Sequence, residues 1–86
     1  MNEEKIGIVS NYYKNIGVAA VILEGTLAVG DTIHIKGHKT DFTQKLESMQ
    51  IEHKNIEKAK EGDDVGIKVN QDIRKHDIVY KLMEQV

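Results

Sequence analysis

The stretch EGTLAVGDTIHIKGHKTDF, residues 24–42, decides the fold because a glycine turn is followed there by a strictly alternating apolar run. Successive side chains of a β-strand point to opposite faces. The alternation therefore predicts a strand with Ile33 and Ile35 facing inward and with His34 and Lys36 facing outward. A strand introduced by a tight turn in this way is typical of a small all-β domain.

The glycine turn raises the question of a phosphate-binding loop. Gly25 and Gly30 have the first spacing of that motif, but Asp31 stands where the motif requires a lysine. An aspartate would repel the phosphates that the lysine neutralises. We therefore interpret Gly30 as a turn residue with positive φ and Asp31 as an acceptor for nearby backbone amides. No GTP binding by this chain alone is expected.

The rest of the chain also reads as short strands separated by turns. The extended candidates are residues 5–13, 16–23, 41–54, 64–70 and 78–82. The link Lys14–Asn15 predicts a hairpin between the first two. In the run 41–54, Leu46 has one parity while Met49 and Ile51 have the other, which requires a bulge or bend near Glu47–Ser48.

Residues 55–60 differ from the strands around them. Asn55 is a good helix cap and Gly62 a good stop, so this segment is predicted to form a single helical turn. With about six or seven strands elsewhere, the fold class is all-β. We expect a small closed antiparallel β-barrel over residues 5–83, with tails at 1–4 and 84–86.

Composition limits the classes of function. The chain of 86 residues has no cysteine, and its 12 Lys plus Arg are balanced by 14 Asp plus Glu. Near-neutral charge argues against a non-specific duplex DNA binder. The acidic, polar start is unlike a signal peptide, and no apolar run has the length of a membrane span. We expect a cytoplasmic protein that makes no contact with membranes.

No reactive constellation stands out in the sequence. The four histidines, His34, His38, His53 and His76, are not at a typical zinc spacing, so surface histidines are expected rather than a metal site. Ser10 and Ser48 lie outside any nucleophile-elbow motif. The chain is therefore predicted to be a binding module, not an enzyme, with no cofactor.

Four blocks of sequence resemble a known domain. They are Gly25–Asp31, Ser48–Lys54, Ala59–Gly66 and Asp72–Asp77. In order and spacing these blocks are similar to the second, β-barrel domain of translational GTPases such as elongation factor Tu and elongation factor 1-alpha. The likeness extends over residues 5–82 and is nearest to small stand-alone elongation-factor-like proteins, for which it implies no established activity.

That resemblance implies contact with RNA or with the ribosome. In tRNA-carrying relatives, the loop after the third strand helps to hold the acceptor end of tRNA, and the corresponding segment here is residues 37–45. The candidate RNA-binding residues in and around it are Lys36, His38, Lys39, Phe42, Lys45 and Lys54. Lysines would meet phosphates and an exposed Phe42 would stack on a base, whereas a buried Phe42 would belong to the core.

A second candidate surface lies at Tyr13 and Lys14. Neighbouring tyrosines on a strand face opposite ways, so one of Tyr12 and Tyr13 is outward and could stack on a base, anchor a protein or cover a strand. The alternative function is therefore a protein-interaction adaptor or a homodimer with no nucleic-acid role. The partners left open by the sequence are RNA, the ribosome, another protein or a second copy of the chain.

Overall fold

The computed structural model describes residues 2–83, and these form ten short β-strands joined by turns. The strands are β1 (Asn2–Tyr13), β2 (Val18–Leu23), β3 (Leu27–Ala28), β4 (Thr32–Lys36), β5 (Asp41–Lys45), β6 (Met49–Ile51), β7 (Lys54–Ile56), β8 (Lys58–Ala59), β9 (Asp64–Lys68) and β10 (Ile78–Met83). Within residues 2–83 there is no helix of the length and apolarity needed to cross a membrane. The cytoplasmic location stays a prediction.

Eight of the strands form one antiparallel sheet, in the order β5-β4-β10-β1-β2-β9-β6-β7. β3 and β8 pair separately as a two-stranded ribbon. The all-β prediction is confirmed. The closed barrel is wrong, because the edge strands β5 and β7 are not paired with each other in the part of the chain that is described.

Gln44 gives the physical reason why the ladder stops at β5. Its Nε2 donates to the carbonyl of Lys68 at 2.8 Å, and its Oε1 accepts the N–H of Asn70 at 2.8 Å. A side-chain amide thus satisfies backbone groups at the end of β9 that a neighbouring strand would otherwise use. The sheet curls around its core, and a side chain bridges part of the gap.

The core is built from the inward positions of the sheet together with residues of the ribbon. Ile33 and Ile35 are fully buried as predicted, and so are Val65 and Ile67. The other buried apolar residues are Ile6, Val9, Ala19, Val21, Leu23, Leu27, Leu46, Met49, Ala59, Val69, Ile73 and Val79. Burial of this continuous set is the main favourable contribution to folding.

The first strand is longer than predicted and irregular. It begins at Asn2, so residues 2–4 extend the pairing with β10 instead of forming a tail. Its register shifts between Lys5 and Gly7 and again between Val9 and Asn11. These bulges place Ile6 and Val9 on the same buried side although their spacing in sequence is odd. Residues 84–86, predicted to be a tail, lie outside the described part.

Two local predictions need correction. The β1–β2 hairpin exists, but its turn spans residues 14–17, with Gly17 at φ 64°, instead of the two residues Lys14–Asn15. The helical turn at 55–60 is wrong, because this segment contributes to β7 and forms β8. Pairing with distant strands overrides the local capping signal there. The break predicted near Glu47–Ser48 is confirmed between β5 and β6.

Three turns of the molecule share one design, and we call them the Asp turns. In each, the N–H of an aspartate donates to the carbonyl three residues earlier, and the aspartate Oδ2 accepts the N–H of that same residue. The three turns are Ala28–Asp31, Lys60–Asp63 and Arg74–Asp77. Their third residues have φ of 100°, 91° and 78° at Gly30, Gly62 and His76. The roles predicted for Gly30 and Asp31 are confirmed.

Candidate functional site

The β4–β5 hairpin carries most of the predicted site residues but does not gather all of them. Lys36, His38 and Lys39 are exposed at its loop end. Lys45 is exposed at the other end of β5, where it pairs with Thr32. It lies about 14 Å along the strand from Asp41 at the loop end, by the rise per residue of a β-strand.

Phe42 does not have a free ring. It is half-buried and packs against the core, which matches the core alternative and not the exposed stacking ring.

The remaining predicted residues lie on two other hairpins. Tyr13 is 48% exposed, and the neighbouring Lys14 lies 3.7 Å from a carboxylate oxygen of Asp72. Tyr12 is half-buried, and its hydroxyl donates to Asp72, an interaction that raises the pKa of Tyr12. Lys54 is exposed at the start of the edge strand β7. The assignment of these residues to a binding surface stays a prediction.

His34 is the centre of a polar cluster that sequence reasoning missed. Its Nδ1 lies 2.6 Å from Glu3 Oε2, and its Nε2 lies 2.5 Å from Asp41 Oδ1. Carboxylate oxygens are acceptors, so a carboxylate at each ring nitrogen favours the imidazolium, the form that donates from both. The ring of Tyr80 lies beside it at a centroid distance of 6.0 Å. The cluster ties β1, β4 and β5 together on the outer face of the sheet.

The two carboxylates shift the equilibrium of His34 toward its charged form. The hydrogen bond to Asp41 is the main cause that raises the pKa of His34, with Glu3 adding to it against the opposing effect of burial. The same hydrogen bond lowers the pKa of Asp41.

Glu3 and Asp41 bind opposite nitrogens of the ring and so do not converge on one point. Accordingly, no group of His, Asp and Glu suited to a metal ion occurs among residues 2–83.

An apolar row crosses the outer face of the sheet. Pairing aligns Ile78 with Ile8, and Ile8 with Ile22, on three adjacent strands. The next residues along the same line are Lys36 on β4 and Asp64 on β9, which end the row with opposite charges. Ile22 is 48% exposed. Ile8 and Ile78 are half-buried, and the line that they form with the exposed Ile22 suits a contact surface.

An open groove of about 620 Å³ lies between the β3–β8 ribbon and β10. Its apolar lining residues are Leu27, Ala28 and Ala59. The polar residues that line it are Thr26, Asp31, Lys58, Lys60, Asp63 and Lys81. We call it the lysine groove. The sequence prediction of a helical turn at 55–60 missed this groove, because it does not place Lys58 and Lys60 on the opposite side of a strand from a buried Ala59.

The fold and these surfaces define a small antiparallel β-domain with one apolar row, one cationic groove and one His–carboxylate cluster. No protein-family model matches the chain. The chain is 45% identical, over 83 residues, to an uncharacterized protease of Methanocaldococcus jannaschii, covering 95% of this chain and 20% of that protein. It is 36% identical over 72 residues to a collagenase of Porphyromonas gingivalis, covering 81% of this chain and 20% of the collagenase.

Two solved structures share the fold. The crystal structure of the C-terminal domain of a Geobacillus thermoleovorans putative U32 peptidase superposes with a TM-score of 0.87, 24% identity and 93% coverage of both chains. A selenomethionine variant of that domain gives a TM-score of 0.84 over 88% of this chain. The chain thus has the fold of that isolated domain and spans about a fifth of the length of the curated relatives it matches.

These comparisons correct the predicted identity. The relationship to the second domain of elongation factors is wrong, and with it the translation-factor-like binding module with an RNA or ribosome role. The prediction that the chain is not an enzyme is also contradicted, since the relatives are named as a protease and as collagenases.

The physical reason lies in the motifs that carried the resemblance. Three of the four blocks contain Asp turns, at Ala28–Asp31, Lys60–Asp63 and Arg74–Asp77, which connect strands by local hydrogen bonding. Such turns report local backbone geometry and not ancestry.

Proposed function

We propose that this chain serves as the β-domain of a peptidase of the U32 type, the role held by the C-terminal domain in the Geobacillus protein. The observation that carries the proposal is the 45% identity over 83 residues with one segment of a named protease. The isolated U32 domain of the same fold, matched over 93% of both chains, supports it. Identity at this level across nearly a whole domain exceeds what shared turn chemistry produces.

Within that role, the apolar row is the surface we assign to contact with the peptidase unit. The matched relatives carry this segment joined to about four times its length of further chain. A neighbouring domain of the same polypeptide is therefore the natural occupant of an exposed apolar line. Covering Ile22 would remove apolar surface from water at about 25 cal/mol per Å².

A domain exchange in the Porphyromonas collagenase tests the proposal. The segment that matches this chain is replaced by the chain itself, and collagen hydrolysis is compared among the parent, the chimera and a deletion of the segment. The chimera is expected to keep at least a third of the parent activity, while the deletion loses at least tenfold. A folded chimera no more active than the deletion would contradict the proposal.

Two matched substitutions in the chimera test the apolar row. Ile22→Lys puts a charge into the row and is expected to lower activity or domain association by fivefold or more. Ile16→Lys changes an isoleucine that is 62% exposed in the β1–β2 turn and should leave both unchanged. Equal effects of the two substitutions would show that the row is not the contact.

A further inference from the structure

The lysine groove is lined by three lysines, Lys58, Lys60 and Lys81, and by two aspartates, Asp31 and Asp63. Among residues 2–83, no carboxylate lies within 4.0 Å of the ammonium of Lys58, Lys60 or Lys81. The ion pairs found among these residues involve Lys5, Lys14 and His34. Lysines are usually far out in solvent, yet Lys81 is partly buried at the wall of the groove. A lysine ammonium with no carboxylate beside it favours an anionic partner.

Lys81 is held in place by hydrogen bonds that leave part of its capacity free. Its Nζ donates to the carbonyl of Thr26 at 3.0 Å and to the hydroxyl of the same residue at 3.2 Å. An ammonium has three N–H donors, so one remains after these two bonds. Anchoring reduces the entropy that a lysine loses on binding an anion, because its rotamer is already set.

The two aspartates of the groove accept backbone N–H groups of their own turns but keep their charges, so the three lysines and two aspartates give the lining a net formal charge of +1. Asp31 Oδ2 accepts the N–H of Ala28 at 2.9 Å, and Asp63 Oδ2 accepts the N–H of Lys60 at 3.0 Å. Both carboxylates are thereby fixed to the backbone of their own turns. These Asp turns also make rigid ends for the ribbon that forms one wall.

We propose that the lysine groove binds an acidic segment of a polypeptide, with Lys81 contacting a carboxylate and Lys58 and Lys60 adding charge. The choice of a polypeptide rests on the proposed peptidase role. It also fits the groove, which is open and is lined by the apolar residues Leu27, Ala28 and Ala59 together with polar residues. Small-ligand sites typically have volumes of about 300–1,000 Å³, and this groove of about 620 Å³ lies within that range.

The test is a ¹⁵N–¹H NMR titration of the 86-residue chain with a short peptide bearing two glutamates. A peptide with glutamine at both positions is the neutral control, and inorganic phosphate is the free-oxyanion probe. The acidic peptide is expected to shift the amides of residues 26–28, 58–60 and 81 with a Kd below about 1 mM. The glutamine peptide should bind at least fivefold more weakly.

Substitutions locate the site within the protein. Lys81→Met keeps the length of the side chain and is expected to weaken acidic-peptide binding at least fivefold, and Lys60→Met serves the same purpose if Lys81→Met does not fold. Lys39→Met, in the exposed β4–β5 loop, is the matched control and should bind as the parent does. Loss of affinity in the control equal to that in the groove variants would overturn the proposal.

Two other outcomes also overturn it. Equal binding of the glutamate and glutamine peptides would mean that carboxylates are not recognised. Shifts with phosphate but not with the acidic peptide would mean a site for free oxyanions. Because the titration needs no peptidase activity, its failure is distinguishable from failure of the domain exchange in the collagenase.

Discussion

Single residues determine the conformation of the three Asp turns, and one of them, His76, does so in a strained backbone conformation. Gly30 and Gly62 hold positive φ without strain because glycine has no Cβ. His76 occupies the same third position of an Asp turn at φ 78°, a conformation that disfavours residues with a Cβ. Its N–H still donates to the carbonyl of Val9 at 2.9 Å, so a backbone bond to β1 maintains the turn.

We expect His76→Gly to stabilise the protein by about 0.5–1 kcal/mol. The relief of strain in the folded state exceeds the entropy that glycine adds to the unfolded chain. Urea denaturation followed by far-ultraviolet circular dichroism measures the change. The reciprocal control is Gly62→Ala. An added Cβ there meets nothing within 4 Å, so any loss of stability comes from the positive φ of the backbone alone. A destabilised His76→Gly would show that the imidazole contributes more than the strain costs.

At the scale of elements, the open edge of the sheet depends on one side chain. Gln44 on β5 bonds the carbonyl of Lys68 and the N–H of Asn70, across the place where no strand ladder exists. It is only 9% exposed. These bonds hold the edge strand against the end of β9, and their partners would be left unsatisfied without the amide.

Gln44→Ala is expected to destabilise the protein by about 1–2 kcal/mol, since two part-buried backbone groups lose their hydrogen-bond partner. Hydrogen exchange should rise most in β5 and near residue 70, and chemical denaturation gives the total. Thr43→Ala, at the exposed neighbouring position on the same strand, should change stability by less than about 0.5 kcal/mol. Equal losses in both variants would attribute the effect to β5 propensity and not to the bridge.

At the scale of the whole molecule, the His34 cluster links stability to pH. Glu3 comes from β1 and Asp41 from β5, and both meet His34 on β4. Since the folded pKa of His34 is raised above 6.5, its contribution is complete below pH 6.5 and is lost as pH rises through the folded value. The lowered pKa of Asp41 acts oppositely: its contribution is present above pH 3.8 and is lost as pH falls.

The free-energy difference between the parent and His34→Gln is therefore expected to be largest between pH 3.8 and 6.5. It should shrink toward pH 9 and toward pH 2. Urea titrations at about one-unit intervals measure it, and His38→Gln, an exposed loop histidine, is the control. A difference that stays constant from pH 5 to pH 9 would rule out a charged His34 as the source.

The all-β class and much of the strand pattern were predictable from residues alone. Alternation identified the inward faces of β4 and β9, and the change of parity located the break after β5. The prediction of a helical turn at 55–60 was wrong because strands of two or three residues are too short to show the alternation of apolar and polar residues that distinguishes a strand from a helix. The predicted relationship to the elongation-factor domain was wrong because short turn motifs recur in unrelated proteins and do not indicate homology.

The sequence by itself determined what depends on neighbours in the chain: the inward alternation of Ile33 and Ile35, the positive φ of Gly30 and the role of Asp31. Only the tertiary structure decided what depends on distant residues. Glu3 meets His34 across 31 positions, and Lys81 meets Thr26 across 55. The open sheet, the lysine groove and the apolar row belong to this second group. The physical reason is that sheet order and curvature set these encounters, and no local pattern encodes which strands will become neighbours.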